Sequence, residues 1–240
     1  MDIDKEFWVI TLYETEERTK YVEDLLINNN FKYKLFKFSR HEIPWKGCLN
    51  SHIFLYREAL KKNLDYIIIL EDNVTLSHKY DKSKYENLFK IANTKKDWDV
   101  IIFGGFIMPL SACHSTEYPE LFKTIDNYGN GTSAYLISKK GYIKALLDYD
   151  KQKINIPIDV YLSKIEQYIY NPILFHHRII PSTVNSYLDI PRKFWFKPKV
   201  YECVEFLYFN GKLRLIIYIL SGIFLILFIF LFVKIVRFFI

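Results

Sequence analysis

The hydrophobic pattern of the chain divides into short apolar runs separated by stretches with helical spacing. Apolar runs at residues 7–12, 66–70, 99–103 and 133–138 predict buried strands. Residues 32–38 alternate Lys with Tyr, Leu and Phe, which predicts a half-exposed strand. Strand, helix and strand follow one another at the start of the chain, an order that is typical of a βαβ unit.

Helical spacing predicts the elements that connect these strands. The acidic residues around position 16 begin a first helix, and Asn50 or Ser51 caps the second after a loop at 41–47. Three more helices are predicted, at 84–93, 139–147 and from 157 to about 168.

Other parts of the chain show less regular patterns. Residues 108–126 and 178–210 contain prolines without periodicity and predict irregular segments, the first a candidate lid or acceptor loop. A short strand at 173–175 leads into His176 and His177, and neighbouring residues on a strand point to opposite faces.

This order of elements predicts an α/β fold with a mixed, mostly parallel sheet flanked by helices. We expect one domain at 1–180, an irregular connector at 181–213 and a transmembrane helix at 214–236.

The transmembrane prediction depends on residues 215–233, which include no charged residue. Such a run matches the ~20 residues that cross the hydrocarbon core of a bilayer. Lys212 and Arg214 lie on one side and Lys234 and Arg237 on the other, so the charges leave the orientation open. The alternative is a buried core helix. We expect a single-pass C-terminal anchor, with the main domain in the cytoplasm.

Composition and charge limit the classes of ligand and partner that we expect for this chain. The formal charge is +6 and the pI about 8.9, which suits an anionic ligand or membrane surface. Since the basic residues form no run or nucleic-acid motif, we expect no nucleic-acid partner. Three cysteines without a CxxC pair argue against a disulfide framework or a zinc knuckle, and favour a reducing compartment.

The candidate chemistry lies where the strand at 66–70 ends. Glu71 and Asp72 follow it directly, and ligands of open α/β sheets bind just beyond the carboxyl ends of strands. Two acids at the end of a buried strand need a metal ion, an Arg or a Lys nearby. The alternative is a pair of solvated turn residues.

Several motifs occur in an order that resembles glycosyltransferase family 25, the lipopolysaccharide and collagen β-galactosyltransferase type. They are Gly-Cys-x-x-Ser-His at 47–52, Leu-Glu-Asp at 70–72, Trp-Asp at 98–99, Tyr-x-Ile-Ser at 135–138, Pro-x-Asp at 157–159 and Asn-Pro at 171–172. The resemblance implies a GT-A-like, Rossmann-type fold, a nucleotide-sugar donor that is usually UDP-galactose, a divalent metal and inversion at the sugar carbon.

The resemblance also assigns roles at the acidic pair. Asp72 is expected to bind Mn²⁺ or Mg²⁺ and to act in catalysis by neutralising the leaving diphosphate, while Glu71 contacts the donor or orients Asp72. Asn73 departs from the family, which has Asp there. An amide oxygen can still bind a hard cation, with lower affinity because it has no charge, so the metal requirement stays open.

Further residues are expected to act in catalysis or in binding the donor. Asp159 is the candidate base for the acceptor hydroxyl, and the alternative is an acid favoured by a helix N-terminus. Thr11, Leu12 and Arg18 are expected to bind the donor, with a surface Arg as the alternative for Arg18. His52 is either catalytic or simply a satisfied, half-buried histidine.

The sequence thus predicts a membrane-anchored enzyme that moves a hexose, expected to be galactose, from a UDP-sugar to a glycan, lipid or protein acceptor. N-x-Thr sequons begin at Asn73 and Asn130 at the rim of the expected site. A glycan there would block the donor, which supports the cytoplasmic side. Two alternatives are a degenerate GT-A domain that acts as a tethered binding module and an anchored structural protein without a ligand.

Overall fold

The computed structural model describes residues 5–105, 113–124 and 131–178, together with Ile219, Leu220 and Ile223. This part of the chain forms one mixed sheet with helices on both of its faces.

The elements follow one another along the described chain. The strands are β1 (Glu6–Leu12), β2 (Lys32–Phe38), β3 (Tyr66–Glu71), β4 (Val74–Leu76), β5 (Val100–Gly104), β6 (Cys113–Ser115), β7 (Leu121–Thr124), β8 (Ala134–Ser138), β9 (Gln167–Tyr170) and β10 (Phe175–His177). The helices are α1 (Glu16–Asn28), α2 (Pro44–Lys61), α3 (Lys82–Thr94), α4 (Lys139–Asp150) and α5 (Ile158–Leu162).

Most strands of the sheet run in one direction. The order is β2-β1-β3-β8-β5-β9-β7-β6, and β10 pairs with both β5 and β4. β1 is parallel to β2 and β3, and β5 is parallel to β9 and β10, whereas β8 runs antiparallel between β3 and β5. The predicted mixed, mostly parallel sheet flanked by helices is therefore confirmed.

The central strand β3 separates two cores, as its unbroken apolar run predicted. Ile67 and Ile69 pack into a core with side chains of α2, α4 and α5. Ile68 and Leu70 pack into a second core with side chains of α1 and α3. Because side chains alternate along a strand, β3 is buried on both faces.

The start of α2 differs from the prediction. The helix begins at Pro44, inside the predicted loop, because the fixed φ of proline suits the first turn of a helix. The predicted caps Asn50 and Ser51 therefore lie within α2, and the Ser51 hydroxyl donates to the Gly47 carbonyl at 3.0 Å. This extra turn places Cys48 on the helix, one turn before His52.

The predicted helix from 157 to about 168 was wrong beyond its first turns. α5 ends at Leu162, and the chain continues into β9, whose four residues are all buried between β5 and β7. Residues 167–170 pair with strands inside the sheet, and this pairing outweighs the helical spacing of the predicted helix. Part of the predicted irregular segment 108–126 is also strand, since β6 and β7 pair as an antiparallel hairpin.

The predicted connector 181–213 lies outside the described residues. So does the predicted transmembrane helix 214–236, except for Ile219, Leu220 and Ile223, which are helical. Within the described ranges, no helix combines the length and the apolar character needed to cross a bilayer.

Candidate active site

The two acids of the sequence motif lie at the carboxyl edge of the sheet, where β1 and β3 end. Glu71 pairs with Ile10 of β1, and the Asp72 amide donates to the Ile10 carbonyl at 3.2 Å. Their side chains then diverge. Asp72 meets residues at the start of α1, whereas Glu71 meets His52 of α2, so each acid has its own surroundings.

The Asp72 carboxylate is surrounded by hydrogen-bond donors. Its Oδ2 atom accepts bonds of 3.0 Å from the hydroxyls of both Thr11 and Thr15, and Arg18 Nη1 lies 3.6 Å from Oδ1. The Thr19 hydroxyl lies 2.5 Å from that of Thr11 and extends the network into α1. Thr15 is tied to the end of β1 through the Leu12 carbonyl.

Burial dominates the electrostatics of Asp72. The residue is 6 % exposed, and burial raises the pKa of its carboxyl although Arg18 and the two threonine hydroxyls act to lower it. Arg18 Nε is buried and has no hydrogen-bond partner among the described residues, so it remains available to an anionic ligand.

The Glu71 carboxylate has a different set of partners. Its Oε1 atom accepts a 2.8 Å bond from the Thr132 hydroxyl, and Oε2 accepts a 3.2 Å bond from the Asn73 amide. Burial acts to raise the pKa of Glu71, but His52, His177 and the Thr132 hydroxyl outweigh it and lower the pKa to about 2. Glu71 is therefore held as a carboxylate.

His52 reaches the Glu71 side from α2. The residue is fully buried, and its ring is stacked on Tyr135. Its Nδ1 atom lies 2.6 Å from the Tyr135 hydroxyl, which lies 2.7 Å from the Tyr56 hydroxyl. The other ring nitrogen, Nε2, is 3.7 Å from Glu71 Oε1, which is too long for a hydrogen bond. The ring is thus fixed at one nitrogen and turned toward Glu71 at the other.

Asp159 lies on this same side of the site, in the first turn of α5. Its Oδ1 atom accepts a 2.9 Å bond from the Val160 amide. Burial raises the pKa of Asp159, the bond from Val160 lowers it, and the nearby charge of Glu71 raises it again. A carboxyl with a raised pKa is the kind of group that serves as a general base.

His177 and Arg178, at the end of the described range 131–178, lie next to the start of β8. Ser133 Oγ lies 2.8 Å from His177 Nε2, and the Arg178 amide donates to the Asn73 carbonyl at 2.7 Å. The Arg178 guanidinium stands 3.5 Å from the centre of the Tyr21 ring. This places a second arginine beside the motif.

The structure brings the predicted residues to one edge in two groups. Thr11, Leu12, Arg18 and Asp72 form the first, and Glu71, Asn73 and Asp159 form the second. Sequence reasoning assigned no catalytic or donor-binding role to several residues that bond these groups or their immediate neighbours: Thr15, Thr132, Tyr135, His177 and Arg178. A hydroxyl directly after the glycine at 131 was a usable signal for Thr132, since an exit from a glycine turn often contacts a ligand or an acid.

Fold and site together define an α/β protein whose acids gather at the carboxyl edge of its sheet, the usual ligand edge of such folds. The chain belongs to glycosyltransferase family 25, since the family model described as "Glycosyltransferase family 25 (LPS biosynthesis protein)" matches residues 37–162. The resemblance drawn from the sequence motifs is thereby confirmed.

Individual relatives agree with the family. The chain is 28 % identical to the lipooligosaccharide biosynthesis protein lex-1 of Haemophilus influenzae over 136 residues, which cover 54 % of this chain and 43 % of the relative. It is 25 % identical to procollagen galactosyltransferase 2 of Homo sapiens over 170 residues, 63 % of this chain and 26 % of the relative. The chain therefore spans less than half the length of either relative.

A solved structure is also similar. A crystal structure of a glycosyltransferase involved in the glycosylation of the major capsid of PBCV-1 aligns with a TM-score of 0.43 and 11 % identity, over 71 % of this chain and 92 % of that one.

Proposed function

We propose that this chain is a GT-A-type glycosyltransferase that moves a hexose, galactose in the first instance, from a UDP-sugar to a glycan, lipid or protein acceptor with inversion. The observation that carries the proposal is the position of Glu71, Asp72 and Asp159 at the ligand edge of the sheet in a family 25 domain. The names of the relatives, one a lipooligosaccharide biosynthesis protein and one a procollagen galactosyltransferase, support the hexose and the choice of acceptors.

The proposed cation is Mn²⁺ or Mg²⁺, and the residues present fit a hard ion. Asn73 Oδ1 is buried and has no hydrogen-bond partner within the described chain, so its oxygen is available as a ligand. Within the described part of the chain, the neighbour of Asp72 Oδ1 is Arg18 Nη1, at 3.6 Å and so beyond hydrogen-bond distance. We propose that these two oxygens, one from each group, would hold the ion, which would supply positive charge to the departing diphosphate.

The chain's own residues supply the remaining functions. Arg18 offers its Nε, which has no hydrogen-bond partner among the described residues, to a phosphate oxygen of the donor close to the end of β1 at Thr11 and Leu12. Asp159 takes the proton of the acceptor hydroxyl as that oxygen attacks the sugar carbon. Its raised pKa makes it a stronger base than an exposed aspartate.

A donor screen tests this proposal. The full chain in mild detergent is mixed with a panel of nucleotide sugars, with and without Mn²⁺, and nucleotide release is measured. We expect release from UDP-galactose above the other donors, with stimulation by Mn²⁺. If no nucleotide sugar is turned over and calorimetry detects no UDP binding in the presence of metal, the proposal is wrong.

Asn73 supports a second candidate, a domain that binds without catalysing. Its amide donates to Glu71 where the family has a charged ligand, so metal affinity falls at the point where the diphosphate needs it. Under this alternative, Asn73→Asp creates Mn²⁺ binding that the natural chain lacks. Equal Mn²⁺ affinity in both chains, with turnover in both, would exclude it.

We further propose that residues 214–236 anchor the domain to a membrane, with the domain in the cytoplasm. The support is the uncharged run at 215–233. The full chain should float with vesicles in a density gradient, whereas a chain that ends at residue 213 should stay at the bottom. Flotation of both would place the membrane contact elsewhere.

A further inference from the structure

Three different metal-binding atoms converge on the α2 side of the site. Sulfur of Cys48, a ring nitrogen of His52 and a carboxylate oxygen of Glu71 all lie within 4.8 Å of one another. Cys48 and His52 are one helical turn apart on α2, so they project from the same face. Glu71 meets them from the end of β3. The cluster thus joins a helix to the strand that carries the family motif.

His52 provides an independent sign of a missing ligand. Its Nε2 atom is buried, faces the cluster and finds no hydrogen-bond partner in the described part of the chain. Its Nδ1 atom is already fixed by Tyr135 at 2.6 Å. Metal-binding histidines commonly have this arrangement, with one nitrogen oriented by a neighbour and the other left for the ion.

We propose that Cys48, His52 and Glu71 form a Zn²⁺ site, separate from the Asp72 and Asn73 oxygens assigned to the Mn²⁺ or Mg²⁺ of glycosyl transfer. Thiolate, imidazole and carboxylate are the ligand types that zinc selects, whereas Mn²⁺ and Mg²⁺ prefer oxygen alone. Zinc holds sulfur at ~2.3 Å and nitrogen at ~2.0 Å, so two donors at corners of a tetrahedron around one ion are roughly 3.5 Å apart. His52 Nε2 and Glu71 Oε1 are 3.7 Å apart, close to that value, and all three donor atoms lie within 4.8 Å of one another.

Binding changes the protons of the cluster in a defined way. The Cys48 thiol loses its proton to solvent as sulfur bonds the ion, and Glu71 binds as the carboxylate it already is. His52 keeps a proton on Nδ1 and donates it to the Tyr135 oxygen, while the Tyr135 hydroxyl donates onward to Tyr56. A water molecule completes the tetrahedron, since Cys48 and Glu71 are both partly exposed.

Cobalt tests the site without any need for catalytic activity. Co²⁺ replaces Zn²⁺ in such sites, and a bond between cobalt and sulfur gives a charge-transfer absorption band that oxygen ligands do not. The full chain, reduced and freed of metal by a chelator, is titrated with Co²⁺ in mild detergent. We expect the band in the natural chain and its disappearance when Zn²⁺ is added.

Matched variants decide which residues bind the ion. Cys48→Ser should abolish the band and weaken Zn²⁺ binding at least about tenfold, whereas Cys113→Ser and Cys203→Ser should keep both. Asp72→Asn should also keep the band, which separates this site from the oxygen site of the proposed transfer reaction. Absence of a band in the natural chain overturns the proposal, and so does a band that survives Cys48→Ser.

Tyr135→Phe examines the orienting bond without touching a ligand. Because it removes the oxygen that fixes His52 Nδ1, it should keep the band and lower metal affinity by about 10- to 100-fold. Unchanged affinity would show that His52 is not a ligand through Nε2. Far-ultraviolet circular dichroism of each variant confirms that the domain is still folded.

Discussion

Asp72 and Glu71 are neighbours in sequence, yet the structure treats them as two different sites. Asp72 is placed among two threonine hydroxyls and an arginine from β1 and α1, elements that are close to each other in sequence. Glu71 depends on Thr132 and His52, which come from distant parts of the chain. Nearby hydroxyls therefore hold the first carboxylate, whereas residues brought together by the fold surround the second, beside the buried His52 Nε2, which has no hydrogen-bond partner among the described residues.

The electrostatic consequence is opposite for the two acids. Burial raises the pKa of Asp72, while the neighbours of Glu71 overcome burial and lower its pKa. The charged form of Asp72 therefore lowers the stability of the folded state, whereas the charged form of Glu71 raises it. A buried charge that destabilises the fold is typical of a functional site, because selection for stability alone would have removed it.

The largest expected effect concerns catalysis on the Glu71 side. Asp159→Asn removes the proposed base and should lower kcat by about 10²- to 10⁴-fold with little change in the KM of the donor. The measurement is UDP release with saturating donor and acceptor. Asp97→Asn, at an exposed acid paired with Lys140, should leave the rate unchanged. A full rate in Asp159→Asn would remove Asp159 from the mechanism.

The second prediction compares the two acids directly. In metal-free buffer at pH 7, Glu71→Gln should lower the free energy of unfolding by about 3 kcal/mol, because a pKa lowered from 4.5 to about 2 is a gain for the folded carboxylate. Asp72→Asn should cause no such loss, since a raised pKa means that the charged form is disfavoured in the folded state.

The pH dependence of urea unfolding shows whether the charge of Glu71 stabilises or destabilises the fold. The contribution of Glu71 is fully present above about pH 4.5 and is lost as the pH falls toward 2, so the Glu71→Gln difference should shrink in acid. Equal losses for both variants at pH 7 would mean that the two acids do not differ in the proposed way.

Much of this arrangement could be predicted from the sequence. The unbroken apolar run of β3 gave its burial on both faces, and the position of Glu71 and Asp72 directly after it gave the ligand edge. Neighbouring side chains on a strand point to opposite faces, which explains why Glu71 and Asp72 have different surroundings. Their adjacency in sequence had instead favoured a single shared site.

The remainder depended on contacts that no local pattern contains. The helical spacing after α5 gave no sign of β9, whose strand conformation comes from pairing with β5 and β7. The hydroxyls of Thr15 and Thr132 look like ordinary turn or helix-start residues, and their bonds go to acids 57 and 61 residues away. The predicted caps at Asn50 or Ser51 left Cys48 outside the helix, whereas α2 begins at Pro44 and includes it.

His176 and His177 on β10 are also neighbours in sequence with different surroundings. A third prediction follows from this difference. His177 lies against Ser133, whereas the His176 ring meets that of His78. Burial, with the charges of His78, Lys79 and His177, lowers the pKa of His176 to about 3. The folded protein thus holds His176 neutral, while the unfolded chain binds a proton below about pH 6.5.

This difference destabilises the fold as the pH falls from 6.5 toward 3, by about 1.4 kcal/mol per pH unit. His176→Asn should therefore reduce the stability lost between pH 7 and pH 5 by about 2 kcal/mol in urea unfolding. His41→Asn, at an exposed loop position, should not. An identical pH response in the His176 variant and the natural chain would show that His176 is not held neutral.

The smallest expected effect examines the donors around Asp72. Thr15→Val preserves the shape of the side chain but removes the hydroxyl that donates to Oδ2, so the buried carboxylate keeps only Thr11 on that atom. A lost bond to a charged group should lower the free energy of unfolding by about 1.5 kcal/mol at pH 7. Thr94→Val, which removes a hydroxyl at the exposed end of α3, should change it by less than about 0.5 kcal/mol. Equal effects would mean that the hydroxyls around Asp72 contribute no more than a surface hydroxyl, and the contrast between an Asp72 held by nearby hydroxyls and a Glu71 held by distant parts of the chain would fail.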